Sequence, residues 1–405
     1  ASKSYTLRLT QRTEPTPEQD EKFPFVIPIR FGMMSAIGET LVAESDNDAV
    51  RGDLIVLDEA EQSIVFTNLE ARPVLSLLRS FSAPVRLEFD ESDEDRLTRA
   101  AHDSDQYNRW EALSGFALKQ MAAASRDPDF EFDGRLINTL SNTALDGSLH
   151  AAFRAAVLNL PSEGDVAREL ETNIDPDAIY AARSKLIGKV GVALSSKGLA
   201  LAVKLNESQR TSDPLQAAAE RSLANSLWPM LMAANVEGTA NALNGIHSET
   251  DNMTIRLSTL STVVRSVADQ EKRETAVAKF LSDFEDEPLV IDKWFSVQAG
   301  IPGQDGLNLF NDLLKHPLYT LTNPNRARAL LAPFAASNPT AFHRSDGLGV
   351  ALFTDTIIEL DRRNPQLAAR LLSLMNDWRK LEPVRAEHAR MAIAKVAAFE
   401  GLSVD

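Results

Sequence analysis

The stretch Asn323-Pro324-Asn325-Arg326-Ala327-Arg328 decides how the chain is read, together with Ser337-Asn338-Pro339-Thr340-Ala341-Phe342-His343 and Asn364-Pro365-Gln366-Leu367-Ala368-Ala369-Arg370. Each sets Asn-Pro ahead of apolar residues at helical spacing. An Asn side chain accepts a hydrogen bond from a free N–H of the first helical turn, and Pro at the first position has no N–H to leave unpaired. Three helix starts therefore follow in close succession.

The first start carries two arginines where the aligned peptide dipoles are already positive, a placement that costs roughly 0.3–1 kcal/mol per exposed cation. A negative group should stand nearby. It can be an Asp or Glu of a neighbouring helix, plentiful in a chain with 58 acidic and 42 basic residues, or it can be a ligand carboxylate. The stripe Ala327, Leu330, Leu331, Phe334 leaves Arg326 on one shoulder and Arg328 on the other, so projection does not choose between them. In the third segment the stripe Leu367, Leu371, Leu374, Trp378 puts Arg370 at its edge, able to reach into a concavity.

Helical periodicity extends back from these segments to about Phe89. Trp110, Leu113, Phe116, Ala117 and Met121 form one stripe; Leu257, Leu260, Val263, Val264 and Val267 form another. Asp127-Pro128, Asp175-Pro176 and Ser212-Asp213-Pro214 mark further starts, and Pro333 is expected to kink or end the helix begun at Pro324. No fixed repeat length is evident, so a strict repeat family is not expected. Short antiparallel helices in series still predict a superhelical stack, whose concave side offers a binding surface.

Up to about Glu88 the apolar period is two. Tyr5, Leu7 and Leu9 alternate with Thr6, Arg8 and Thr10, and Phe23, Phe25, Ile27, Ile29 and Phe31 alternate with Pro24, Val26, Pro28 and Arg30. Pro24 and Pro28 cannot donate to a ladder and predict an edge strand. With further apolar runs at Leu54–Leu57, Ile64–Phe66 and Val85–Phe89, a small antiparallel sandwich is the economical reading. The expected fold is mainly α: a β-sandwich spacer over residues 1–88, then a large all-α superhelical, solenoid-like and bowl-shaped domain over residues 89–405.

A net charge of −16 and a pI near 4.9 argue against a nucleic-acid partner, which needs a concentrated basic face. The absence of Cys excludes disulfides, thiolate nucleophiles and Cys-type zinc sites and suits a reducing cytoplasm. No unbroken apolar run reaches the ~18 residues of a membrane span, and Ala1-Ser2-Lys3 opens no signal peptide, so a cytoplasmic protein without a membrane partner is expected. A start without Met, almost inside a strand, reads as a fragment of a longer protein.

Self-contained chemistry is not found in the sequence. Of His102, His150, His247, His316, His343 and His388, no two flank a Glu at the i, i+4 spacing of an HExxH zinc site, and there is no G-x-S-x-G, Walker or G-x-G-x-x-G pattern. Asp90-Glu91 and Glu285-Asp286-Glu287 read as solvated charge runs, His343 as a capping or packing residue and Trp294 as core.

The block from Asp292-Lys293-Trp294-Phe295 through the three Asn-Pro segments and Asp346-Gly347 resembles the C-terminal helical region of bacterial aminopeptidase N, a zinc metallopeptidase family that removes N-terminal residues from peptides. The likeness continues through Asn252-Met253-Thr254, Asn108-Arg109-Trp110, Phe81-Ser82-Ala83-Pro84-Val85, Gln11-Arg12-Thr13 and Tyr5-Thr6-Leu7. It implies a four-domain parent whose preceding domains supply the zinc ligands, the Glu base and the grip on the substrate ammonium. This chain would then hold no catalytic residue and no metal. Its bowl would close over the active site as the wall of a peptide chamber, with Arg328 and Arg370 as the substrate-facing arginines. The implied partners are the chain's own preceding domains and peptide substrates, and the parent is expected to be a monomer. Val350 and Pro333 depart from the family pattern, and the chain stops at Asp405, shortly before the family's expected end. The alternative is a free-standing α-solenoid interaction module that holds an acidic partner or peptide.

Overall fold

The computed structural model describes residues 3–207, 213–266 and 270–403. It divides into two compact units, Ala1–Ala117 and Leu118–Asp405. The boundary falls inside a helix.

The first unit contains β1 (Tyr5–Thr10), β2 (Ile27–Met34), β3 (Val50–Arg51), β4 (Leu54–Leu57), β5 (Glu61–Phe66), β6 (Val74–Leu77), α1 (Asp93–His102) and the start of α2 (Gln106–Arg126). Antiparallel β1-β5 forms one sheet and β3-β4-β2-β6 the other. Alternation buries Leu7, Leu9, Ile64 and Phe66 of the first against Ile29, Phe31, Ile55, Leu57 and Leu75 of the second, with the Phe31 and Phe66 ring centroids 5.3 Å apart. The sandwich is therefore present.

Four details of this unit differ from the expectation, the first being that the alternating run becomes a strand only at Ile27 and leaves Phe23 and Phe25 exposed outside it. β2 is an inner strand, but β4 pairs Ile27–Arg30 and β6 pairs Phe31–Met34, so each half has one neighbour. Phe31 N–H points to β4, donating to the Asp53 carbonyl at 2.8 Å, so residues 28 and 30 face the uncovered flank, where Pro28 has no donor to waste. The run Val85–Phe89 forms no strand, and its apolar residues are part-exposed; the last strand is instead Val74–Leu77, buried at every position and so without alternation to betray it. Glu91 is not solvated: its side chain is 2% exposed, in a bidentate bond with Arg99 (2.6 and 2.8 Å) that Arg96 supports at 3.3 Å. Two arginines of α1 thus need the acid that the charge run seemed to spend on solvent. Buried Asn108 donates to Ser76 Oγ at 2.7 Å and the Leu77 carbonyl at 2.9 Å, pinning α2 to β6.

The second unit continues α2 and adds α3 (Gly134–Leu145), α4 (Ala151–Leu158), α5 (Glu163–Leu170), α6 (Pro176–Glu207), α7 (Pro214–Ala233), α8 (Thr239–Glu249), α9 (Met253–Ser266), α10 (Gln270–Phe284), α11 (Pro288–Gln298), α12 (Gly303–Leu313), α13 (Pro324–Ser337), α14 (Pro339–Phe342), α15 (Leu348–Asp361), α16 (Pro365–Leu372) and α17 (Pro383–Ala397). Asn323, Asn338 and Asn364 cap α13, α14 and α16 through their side chains. Asp127-Pro128 starts no helix; Asp127 accepts from Asp129 N–H in a turn, and Asp133 caps α3. Val267 of the α9 stripe lies outside the described residues, whereas Leu260, Val263 and Val264 are buried as expected.

α13 neither ends nor breaks at Pro333. A proline removes the hydrogen bond to the carbonyl four residues back, here that of Ala329, and Ser296 Oγ of α11 lies 2.8 Å from that oxygen. The core of this region is aromatic: Phe310 and Phe334 stack at 3.7 Å, and Phe342 meets Phe334 and Phe353 edge-on. Trp294 is core, donating Nε1–H to the Val277 carbonyl. α16 ends at Leu372 and tightens into a 3₁₀ turn over Ser373–Met375, which turns Leu374 outward and buries Met375 in its place. By length and composition α6 could cross a membrane. Its residues Ile179, Leu186, Val190 and Leu194 are buried within the unit, and a Cβ at Gly191 would overlap the Met230 carbonyl of α7, so α6 is the unit's central packing helix.

Candidate ligand-binding site

Helix α13 separates its two arginines. Arg326 is buried and answers the search for a negative group: its Nε donates to Asp292 of α11, Nη1 to the Leu318 carbonyl and Nη2 to the Pro288 carbonyl, over the Phe295 ring. Arg328, two residues on, is exposed, and so is Arg370 on α16. Neither guanidinium has a hydrogen-bonding or ionic partner among the described residues.

A cavity of the helical unit, about 990 Å³, is built from α4, α5, α6, α7, α9 and the turns that precede α12 and α14. Arg328 and Arg370 do not line it; Arg183 of α6, Arg221 of α7 and Arg265 of α9 do, with Glu163 and Tyr180. Ser162 forms a capping box with Asp165, which fixes the first turn of α5 and with it Glu163. Burial pushes the Glu163 carboxyl above the ordinary range, against the pull of Arg183 and Arg265. Burial also holds the Arg183 guanidinium below its ordinary range, with Glu163 opposing and Arg265 adding to the shift. These groups therefore sense one another across the cavity. The arrangement can hold an anion and offers no nucleophile with a neighbouring base.

No local signal marks these residues in the sequence, because they converge from elements far apart along it. Among the described residues there is no group of three or more His, Asp or Glu placed to hold a metal. Residues for the zinc that the family implies are thus not found here. His343 caps the end of α14 against Phe342, with its Nδ1 buried and unpartnered.

A β-sandwich unit followed along the chain by a unit of serial helices with an arginine-lined cavity defines the fold class. Residues 93–405 match the family model described as a domain of unknown function (DUF3458_C) with ARM repeats, and residues 1–90 match its companion, DUF3458, of Ig-like fold. The chain belongs to this family, the C-terminal portion of bacterial aminopeptidase N. The description corrects the expectation that no repeat family applies: helices from 4 to 32 residues long hide the repeat from a search for a fixed period. The chain is 36% identical to aminopeptidase N of Caulobacter vibrioides over 87% of its length and 31% identical to that of Escherichia coli over all of it. It also superposes on the crystal structure of Legionella pneumophila aminopeptidase A in complex with aspartic acid, with a TM-score of 0.80, 25% identity and 98% of this chain covered. It spans 40%, 46% and 45% of the lengths of these three proteins.

Proposed function

We propose that this chain serves a zinc-dependent aminopeptidase as its non-catalytic part, with the helical unit covering the active site and walling a chamber in which short peptides are held. The observation that carries this reading is the similarity along the whole chain to proteins named aminopeptidase N. In this reading the zinc ligands and the general base lie in the part of the relatives that this chain does not span, and zinc would supply an activated water there. In the same reading Arg328 and Arg370, whose exposed guanidinium groups have no partner among the described residues, face the chamber and meet the carboxylate of a peptide substrate.

The test uses the longer protein that contains this chain. Arg328→Ala and Arg370→Ala should lower kcat/KM for peptides with a free C-terminus by about tenfold or more and leave aminoacyl-nitroanilides nearly unchanged, because one charge-assisted hydrogen bond is worth about 1.5–3 kcal/mol. Equal losses on both substrate types would remove the two arginines from the chamber. Absence of turnover in the zinc-loaded longer protein would overturn the reading itself.

A further inference from the structure

We infer that a small cavity between α5 and the C-terminal helices is a binding site for a neutral aromatic alcohol, a single ring of phenol size held by the His343 imidazole. The cavity, about 140 Å³, is enclosed by α5, the start of α6, the end of α13, α14 and the segment from Leu374 to Leu381. A void of about 150 Å³ with apolar walls takes up one benzene ring. The sequence stripe that ends in Leu374 and Trp378 is broken by two 3₁₀ turns, over Ser373–Met375 and Trp378–Lys380. Met375 takes the core position, and Leu374 and Trp378 line the cavity with Ile174, Ile179 and Leu381. Two sets of bonds fix these walls. Ile174 N–H donates to the Lys380 carbonyl and Glu382 N–H to the Ile174 carbonyl, both at 2.9 Å, which joins the turn before α6 to the one before α17. Arg385 pairs with Asp175, Asp177 and Glu382 and donates from Nε to the His343 carbonyl at 2.7 Å. The cavity is thus framed before any ligand arrives, as small-molecule sites usually are.

One polar ring stands in the wall. The His343 backbone is bonded on both sides, its N–H to the Pro339 carbonyl and its carbonyl from Arg385, but neither ring nitrogen has a hydrogen-bond partner among the described residues. The buried ring of His247, by contrast, is bonded to Thr259 Oγ1 at 2.8 Å. Nδ1 of His343 is closed off by protein, so Nε2 is the nitrogen that a ligand can reach. Burial keeps this ring neutral, with one donor and one acceptor and no charge to attract an ion. A hydroxyl both donates and accepts, so it serves Nε2 in either tautomer. An aromatic ring fits the apolar remainder, against Trp378 and the aliphatic wall. The acids Glu163 and Asp377 also line the cavity and disfavour an anionic ligand. Leu374 and Asp377 are exposed and mark the mouth through which the ring enters. The site is built wholly from this chain and needs nothing of the peptidase reading.

The experiment is calorimetric titration of the 405-residue chain with phenol, benzene and benzoate, while the indole N–H resonances of its 4 Trp residues are followed by NMR. Phenol is expected to bind about threefold to tenfold more tightly than benzene, the yield of one neutral hydrogen bond, and benzoate is expected not to bind. The indole resonance missing from Trp378→Phe should move most. His343→Leu should remove the advantage of phenol and keep the binding of benzene. Leu374→Trp, at an exposed position, fills the mouth and leaves His343 in place; it should weaken phenol and benzene alike by about tenfold or more, and it carries the test if the His343 variant does not fold. No saturable binding of phenol, equal binding of phenol and benzene, or benzoate as tight as phenol would overturn the proposal. So would an advantage of phenol that survives His343→Leu, or binding indifferent to Leu374→Trp. Because binding is measured on this chain, failure leaves the turnover test of the longer protein untouched.

Discussion

Ser296 Oγ on α11 lies 2.8 Å from the carbonyl oxygen of Ala329 on α13, the oxygen that Pro333 leaves without its helical donor. The hydroxyl also lies 2.9 Å from the Asp292 carbonyl, but that oxygen already faces the Ser296 N–H within α11, so the proton is better used across the helix pair. A sequence feature expected to break a helix is thus neutralised by one side chain of the neighbouring helix.

Ser296→Ala is therefore expected to destabilise the chain by about 1–3 kcal/mol, the cost of a buried acceptor left unpaired. Combined with Pro333→Ala, which returns an N–H to the Ala329 carbonyl, the same substitution should cost about 1 kcal/mol less. A double-mutant cycle by urea denaturation reads the coupling, and additivity would show that the hydroxyl does not serve that oxygen.

Asn338 has a larger part than a helix cap. Its Nδ2 donates to the carbonyls of Ala299 (2.8 Å) and Ile301 (2.6 Å) while its Oδ1 accepts from Ala341 N–H, all in a buried position. Asn338→Ala should cost about 3 kcal/mol, a lost cap of about 1 added to the unpaired carbonyls. Asn338→Asp preserves the cap but turns a carboxylate oxygen on the two carbonyls, and it should be at least as damaging. Asn323→Ala, at an exposed cap, is expected to cost about 1 kcal/mol, and unfolding curves of the three variants check the order.

His343 gives the chain a pH response. Burial, with Arg385 adding to it, pushes the imidazole down from 6.5 to about 4, so the fold holds it neutral. Between those values the unfolded chain binds a proton that the native chain does not. The stability it contributes is complete above pH 6.5 and is lost as pH falls towards about 4, by up to about 3 kcal/mol. Relative to His343→Gln, the native chain should lose stability over this interval in unfolding experiments at matched ionic strength. Parallel curves would contradict the shift.

The paired and unpaired arginines of α13 separate stability from function. Asp292→Asn leaves Arg326 buried beside an uncharged partner and should destabilise by about 3 kcal/mol, while Arg328→Ala at an exposed site should change stability by less than about 0.5 kcal/mol. Melting temperatures of the two variants make the comparison.

The parts of this structure legible in the sequence are those set by contacts a few residues apart. Asn323, Asn338 and Asn364 cap the helices their spacing predicts, since the donors they satisfy lie two or three residues on. Asp127 carries the same signature but closes a turn on Asp129, because a second acceptor, Asp133, stands at the true start of α3. Glu91 shows the limit of charge-run reasoning: its partners lie on the next helix and enclose it. The cavity arginines, on α6, α7 and α9, come together through tertiary packing, and no spacing rule on one helix could collect them.

Pro28 has a consequence beyond its own strand. The uncovered flank of β2 is a seam where an extended segment of another molecule could lie down and continue the ladder. Residue 28 has no amide hydrogen to offer there, and that of Arg30 is already taken by Ser82 Oγ at 2.9 Å. At these two positions an intruder would find carbonyl acceptors and no free donor, which disfavours continuing the ladder along this flank of β2.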